Sequence, residues 1–165
     1  MAKLEKKTLI QIGAVLLIIL AILLIPSDRR KIRKQFKRLA DLAQKEQNES
    51  VFKGARKASA ISELLTNPSE IVGNINFLSG TYSRREATQV IIAARTQLNA
   101  FRLSFQDMTI DFPQKNIATV SVVARLDASL SGETYAEMRK LECRMHKVGK
   151  HWLFNQCRSA DSWRE

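Results

Sequence analysis

Cysteine is scarce. The 165 residues hold two, Cys143 and Cys157, too few for a disulfide scaffold or a Cys-rich zinc module. Six Gly and three Pro exclude collagen-like and low-complexity designs, and no internal repeat is visible. There is no H-E-x-x-H, no glycine-rich phosphate loop and no G-x-S-x-G. Acidic residues are in deficit, 16 against 27 Lys and Arg, for a net charge of +11. What is abundant is apolar: 45 % hydrophobic against 26 % charged residues excludes a disordered chain.

Much of that apolar content lies in one run. Leu9 to Ile25 is seventeen residues without a charge, and at 1.5 Å per residue it spans roughly 26 Å, near the lower limit for crossing a bilayer core. A cleaved leader would end in small residues, whereas this run ends Leu23-Leu24-Ile25-Pro26 with no lipobox cysteine. The expectation is an uncleaved signal-anchor, a single-pass transmembrane helix within residues 1–27, followed by one domain over residues 28–165. The expected location is a membrane, the bacterial inner membrane.

Directly after the run come Arg29, Arg30, Lys31, Arg33, Lys34, Lys37 and Arg38. Basic residues there are attracted to anionic headgroups by about 1 kcal/mol each, so the block reads as a lipid-facing collar. The same block could grip nucleic acid, but no nucleic-acid-binding motif accompanies it, so the expected partner is the bilayer. Seven cations after the segment against three Lys before it favour a cytoplasmic domain. A short basic tail before an apolar run equally fits an exported one, and the side stays open.

Ser27-Asp28 caps a helix with Ile32, Phe36, Leu39 and Ala43 on one side, ending near residues 47–49. A second helix covers Phe52 to Leu65 and is ended by Asn67-Pro68; Glu70 to Leu78 alternates as a strand. Ser83 and Glu86 form a capping box opening a third helix to about Phe101. Four strands follow: Phe105–Phe112, Ile117–Leu130, Thr134–Val148 and His151–Arg158. This order is α+β, with three N-terminal helices packed on a curved antiparallel sheet.

Three helices around an early strand, then a long meander closing in Gly149-x-x-Trp152-x-Phe154, resemble the nuclear transport factor 2-like superfamily (NTF2-like), with its SnoaL-like and ketosteroid-isomerase-like members. The resemblance covers residues 28–160. It implies a cystatin-like cone whose mouth, under the first helix, holds a hydrophobic ligand or an enzyme site, and it makes a homodimer through the sheet common. Membrane-tethered relatives include the inner-membrane scaffold component of type IV secretion systems.

The function expected is membrane-anchored binding or scaffolding of a small hydrophobic ligand or a protein partner. The candidate cavity lining is Phe36, Leu39, Val122, Leu126, Leu141, Met145, Trp152 and Phe154. The alternative is an enzyme acting on a small hydrophobic substrate. Its weak acid/base candidates are Tyr82 and Tyr135, since Asp107 and Asp111 fall on the outward parity of their strand. No cofactor and no metal site are expected; His146, His151 and Cys157 make only a loose cluster. Ser121, Val123, Arg125 and Asp127 offer a mildly apolar face for a homodimer. If Val148 pairs with His151, Cys143 faces Gln156; a register one residue longer opposes Cys143 to Cys157. The first register gathers Leu141, Cys143, Met145, Trp152 and Phe154 on one buried face, so a Cys143–Cys157 disulfide is possible but not favoured.

Overall fold

The structure, a computed structural model, describes residues 27–72, 79–130 and 132–159. The expected anchor lies outside these residues, and no described helix is long and apolar enough to cross a membrane. The order is α1 (Asp28–Ala43), α2 (Val51–Ser62), β1 (Leu65–Val72), β2 (Gly80–Tyr82), α3 (Arg84–Gln97), β3 (Ala100–Gln114), β4 (Ile117–Leu130), β5 (Glu133–Val148) and β6 (His151–Ser159).

Each of the three described helices begins at a serine. Ser27, Ser50 and Ser83 accept from Arg30 N, Lys53 N and Glu86 N respectively, satisfying amides that the first helical turn leaves unpaired. At α3 the capping box is complete, because the Glu86 carboxylate accepts the Ser83 amide at 2.8 Å. Helix α1 stops earlier than its apolar spacing suggests. Beyond it, Lys45 exchanges backbone hydrogen bonds of 2.8 and 3.0 Å with Phe101, which draws the chain into an extended bridge to β3.

The six strands form one sheet in the order β2-β1-β6-β5-β4-β3. Two features depart from the expected antiparallel meander. β1 runs parallel to β6, and β2 is an additional short strand antiparallel to β1. Asn67-Pro68, expected to end α2, sits inside β1. β4 alternates as its sequence dictates, with Ala118, Val120, Val122 and Ala124 turned to the core. The core joins them to Ile32 and Phe36 of α1, Leu64, Ile110, Cys143, Met145, Trp152 and Phe154.

The hairpin of β5 and β6 corrects the cysteine expectation. Near the turn Val148 pairs with His151 and Met145 with Phe154, but Arg144 pairs with Gln156 and Cys143 with Cys157. The register shifts by one residue at Asn155, a β-bulge. Both registers therefore occur in one hairpin. Trp152 and Phe154 remain buried on the turn side of the bulge, while Cys157 rotates to oppose Cys143 on the far side. The two cysteines form a disulfide, with Cα atoms 4.1 Å apart.

A cross-link closing a loop with a sequence separation of 14 is expected to contribute about 3 kcal/mol by restricting the unfolded chain. Cys143→Ala with Cys157→Ala, or added reductant, should lower the urea unfolding midpoint, with a steeper slope because the freed unfolded chain exposes more surface. An unchanged midpoint under reductant would contradict the bond's stabilising role.

Candidate functional site

The place to look is the space between α1 and the sheet. It is filled. Phe36 descends from α1 and meets Phe105 edge-on, with ring centroids 5.0 Å apart at 90°, and Phe154 at 4.8 Å and 75°. Such edge-to-face contacts add about 0.5–1.5 kcal/mol each beyond simple burial. Phe36, Val122, Met145, Trp152 and Phe154 are each at most 2 % exposed, and Leu39 and Leu141 pack against them half-buried. Leu126 lies further along β4 and is half-buried. The eight residues expected to line a ligand cavity divide in two. Seven are packing, because an aromatic side chain on α1 occupies the volume a ligand would need, and Leu126 lies outside that packed cluster.

The acid–base candidates do not converge. Tyr135 keeps the inward parity expected of it, but it stands on the part of β5 beyond the helices and is 50 % exposed. Its hydroxyl donates to the Glu133 carboxylate, which holds the phenol proton and raises its pKa above the usual tyrosine value. Tyr82 is on β2, at the opposite side of the sheet, with its ring against Gly80. Asp107 and Asp111 are exposed, and Asp107 has a left-handed backbone (φ 51°) at a bulge in β3. His146 is half-buried, His151 is exposed, and Cys157 is committed to the disulfide. Among the described residues no three His, Cys, Asp or Glu side chains gather as a metal site would require.

The basic block is arranged with more order than its composition reveals. Ile32, Phe36 and Ala43 face the core, and Arg29, Arg30, Arg33, Lys34, Lys37 and Arg38 are exposed. On a 3.6-residue helix Arg30, Lys34, Lys37 and Arg38 share the side away from the core, Arg33 lies at its flank, and Arg29 stands on the core side with its guanidinium 5.8 Å from the Phe112 ring. Lys31 departs from the set by lying 3.7 Å from Asp28. Lys147 reaches the same carboxylate at 2.9 Å, and its ammonium holds the Asp28 carboxyl below the usual carboxylate range. The Trp152 indole N–H, which also lowers this pKa, is buried without a hydrogen bond of good geometry.

A polar hub behind α1 had no counterpart in the sequence reading. Glu49, with its side chain 1 % exposed, pairs with Arg95 and, at 2.6 Å, with Lys57. Arg95, itself buried on α3, also donates to the carbonyls of Ala43 (2.8 Å) and Gln44 (3.2 Å), and Lys57 donates to Gln44 at 2.7 Å. Lys45 adds a bond of 2.6 Å to the Arg95 carbonyl. The carbonyls left free at the end of α1 are thus met by cations from α2 and α3, where the helix dipole is negative. Burial pushes the Glu49 carboxyl up, but hydrogen bonds from Lys57 and Arg95 outweigh it and the pKa is lowered. Apart from Arg95 Nε, which is buried without a hydrogen-bond partner, the charged groups of the hub are paired within the chain, and it clamps three helices together. An open groove of about 470 Å³ lies beside it, between Lys45, Phe101, Arg102, Arg125, Asp127 and Thr134. Arg125 there is tied to Asp127 at 3.2 Å.

Phe36→Ala is expected to cost about 3–5 kcal/mol in chemical denaturation; a much smaller loss would mean the cone interior is not the core described above. Removing the Glu49 charge leaves Arg95 buried and uncompensated, so Glu49→Gln should cost about 3 kcal/mol at neutral pH. Because folding lowers the Glu49 pKa, its contribution is full above pH 4.5, the unfolded value, and fades as pH falls below it. The variant should lose that part of the acid dependence in denaturation series from pH 7 to 3.

No family model matches the chain, and no curated protein matches it in sequence. Solved structures do match in shape. An NTF2-like protein with a cystatin-like fold from Novosphingobium aromaticivorans is 16 % identical with a TM-score of 0.63, covering 96 % of this chain and 90 % of its own. The Kfla4162 protein from Kribbella flavida is 16 % identical, TM-score 0.64, covering 81 % and 89 %. A hexachlorocyclohexane dehydrochlorinase, LinA-type3, from Novosphingobium barchaimii is 10 % identical, TM-score 0.64, covering 81 % and 85 %. At these identities what is shared is architecture, and the chain has the NTF2-like α+β cone with three helices on a curved sheet.

Proposed function

We propose that this protein is a single-pass, membrane-anchored binding or scaffolding domain that works from its outer surface. The observation that carries the non-catalytic half is the closed interior: Phe36 sits where the cone of this fold would otherwise be hollow, wedged between Phe105 and Phe154. A hydrophobic ligand inside the cone is accordingly dropped from the reading. The partner is a macromolecule meeting the sheet. The likeness to a dehydrochlorinase carries the fold and no reaction to this chain.

The membrane half rests on the apolar run Leu9–Ile25 and on the one-sided basic face of α1 that follows it. Arg30, Lys34, Lys37 and Arg38, at about 1 kcal/mol each, would hold α1 along an anionic surface. Val51 and Phe52, exposed at the start of α2 with Arg56 stacked 5.9 Å from the Phe52 ring, suit the same interface. The Cys143–Cys157 bond supports an oxidising compartment for the domain, with Lys3, Lys6 and Lys7 left on the cytoplasmic side. The seven cations after the run do not oppose this, because large domains translocate largely regardless of charge.

The full chain should remain with membranes through high-salt and alkaline washes, and deletion of residues 9–25 should release it. A C-terminal reporter that is active only outside the cytoplasm should be active, and alkylation in intact cells should find both thiols blocked until reductant is added. Soluble full-length protein, or free thiols in intact cells, would defeat the proposal.

A further inference from the structure

The two ends of the cone differ in how their charges are used. At one end the β3–β4 turn, the β5–β6 turn and the start of α1 lie together. Lys147 N donates to the Asn116 carbonyl at 2.9 Å, and the Lys147 ammonium reaches Asp28 at 2.9 Å. Arg29, Arg30, Lys115 and Lys150 are exposed at this end, and none of them pairs with a carboxylate among the described residues. Two apolar side chains are exposed among them, Val148 (56 %) beside the β5–β6 turn and Phe112 (40 %) under the Arg29 guanidinium. Against the cations stand two exposed carboxylates, Asp111 beside Phe112 and Glu63, which shares a cleft with Val148 and His151. Cations remain in excess. Towards the opposite end they are spent within the chain, Lys53 on Glu46, Arg125 on Asp127 and Arg139 on Glu137.

We infer that the end formed by the two turns and the start of α1 is a foot resting in the anionic headgroup layer of a bilayer, which rests on the membrane-anchored reading above and names the end of the domain that meets lipid. The apolar run ends at Ile25, and the three residues from there to Asp28 span at most about 11 Å. The headgroup layer is itself roughly 5–7 Å deep on each side of the hydrocarbon. With the run across the bilayer, Asp28 stands within that layer or just above it. Lys147, bonded to Asp28, brings the β5–β6 turn to the same depth. Val148 and Phe112 can then enter the boundary between headgroups and acyl chains, while Lys115, Lys150 and Arg30 reach lipid phosphates.

The foot shares Arg30 with the basic stripe on α1. A helix held by one stripe can still roll about its axis, whereas a stripe and a pair of turns together fix the tilt of the domain. The outer sheet face, on the other side of the sheet from α1, is thereby kept turned away from the lipid and open to a partner.

The native cysteines are bonded to each other, so an added cysteine is the single free thiol. Full-length protein carrying an environment-sensitive fluorophore at Gln114→Cys, or at Thr134→Cys towards the opposite end, would be reconstituted in phosphatidylcholine vesicles with and without phosphatidylglycerol. Nitroxide lipids labelled at the headgroup should quench the Gln114 probe several-fold more than the Thr134 probe, and more with phosphatidylglycerol than without. Each cation is worth roughly fivefold in surface partitioning. Lys115→Glu with Lys150→Glu should therefore bring quenching at position 114 down to the level at position 134, with the urea midpoint unchanged and the chain still in the vesicles. Equal quenching of the two probes, indifference to phosphatidylglycerol, or a double charge variant quenched as before would overturn the foot and leave the anchor standing. A full chain that does not stay with the vesicles would remove anchor and foot together.

Discussion

One aromatic ring decides what kind of protein this fold has become. A strongly curved sheet leaves a concavity on its inner side, and a helix laid across that concavity can roof a hollow or fill it. Here Phe36 fills it, meeting Phe105 and Phe154 edge-on. Because protein interiors pack at near-crystalline density, no second occupant shares that volume without displacing the ring. The consequence reaches every other surface. With the interior filled, the proposed recognition would use what the cone presents outward: a basic helix face and a sheet face.

Legibility followed the range of the interactions. The alternation of Ile117–Leu130 and the Ser83–Glu86 capping box are local, and both stand as read. Helix α1 was drawn too long because its end is set by Arg95, 52 residues from Ala43, and by the bridge from Lys45 to Phe101. Periodicity cannot register a carbonyl claimed by a distant guanidinium. The parallel pairing of β1 with β6 was missed for the same reason, joining segments some 85 residues apart.

The cysteines show a subtler limit. Both candidate registers rested on sound physics: one buried Trp152 and Phe154, the other opposed Cys143 to Cys157. Choosing between them assumed that a hairpin keeps a single register, and the bulge at Asn155 satisfies both demands in turn. The parity of each strand was readable, but the position of one extra residue was not. The side chain at that position spans to β1, donating to Thr66 Oγ1 at 3.2 Å. The apolar stripe expected to line a cavity shows another limit. Its residues were placed on the correct face, but a stripe of apolar strand residues looks the same in sequence whether it lines a hollow or a core, and the deciding side chain came from the helix.

The charge arrangement follows from the same packing. Once Ile32 and Phe36 fix the rotation of α1, the cations at positions 30, 34, 37 and 38 have no freedom to turn inward. Lys31 and Lys147 are taken up by Asp28, Lys57 and Arg95 by Glu49 and the end of α1, and Lys45 by the carbonyls of Arg95 and Leu98 at the end of α3. Cations near the core therefore have partners on the chain, Arg29 among them over the Phe112 ring, while those on the far side of α1 are left for whatever lies beneath it. An uncompensated stripe of this kind costs self-repulsion that an anionic surface relieves. That cost gives the orientation of α1 a role besides packing, and it ties the ring that closes the cone to the face on which the domain would rest.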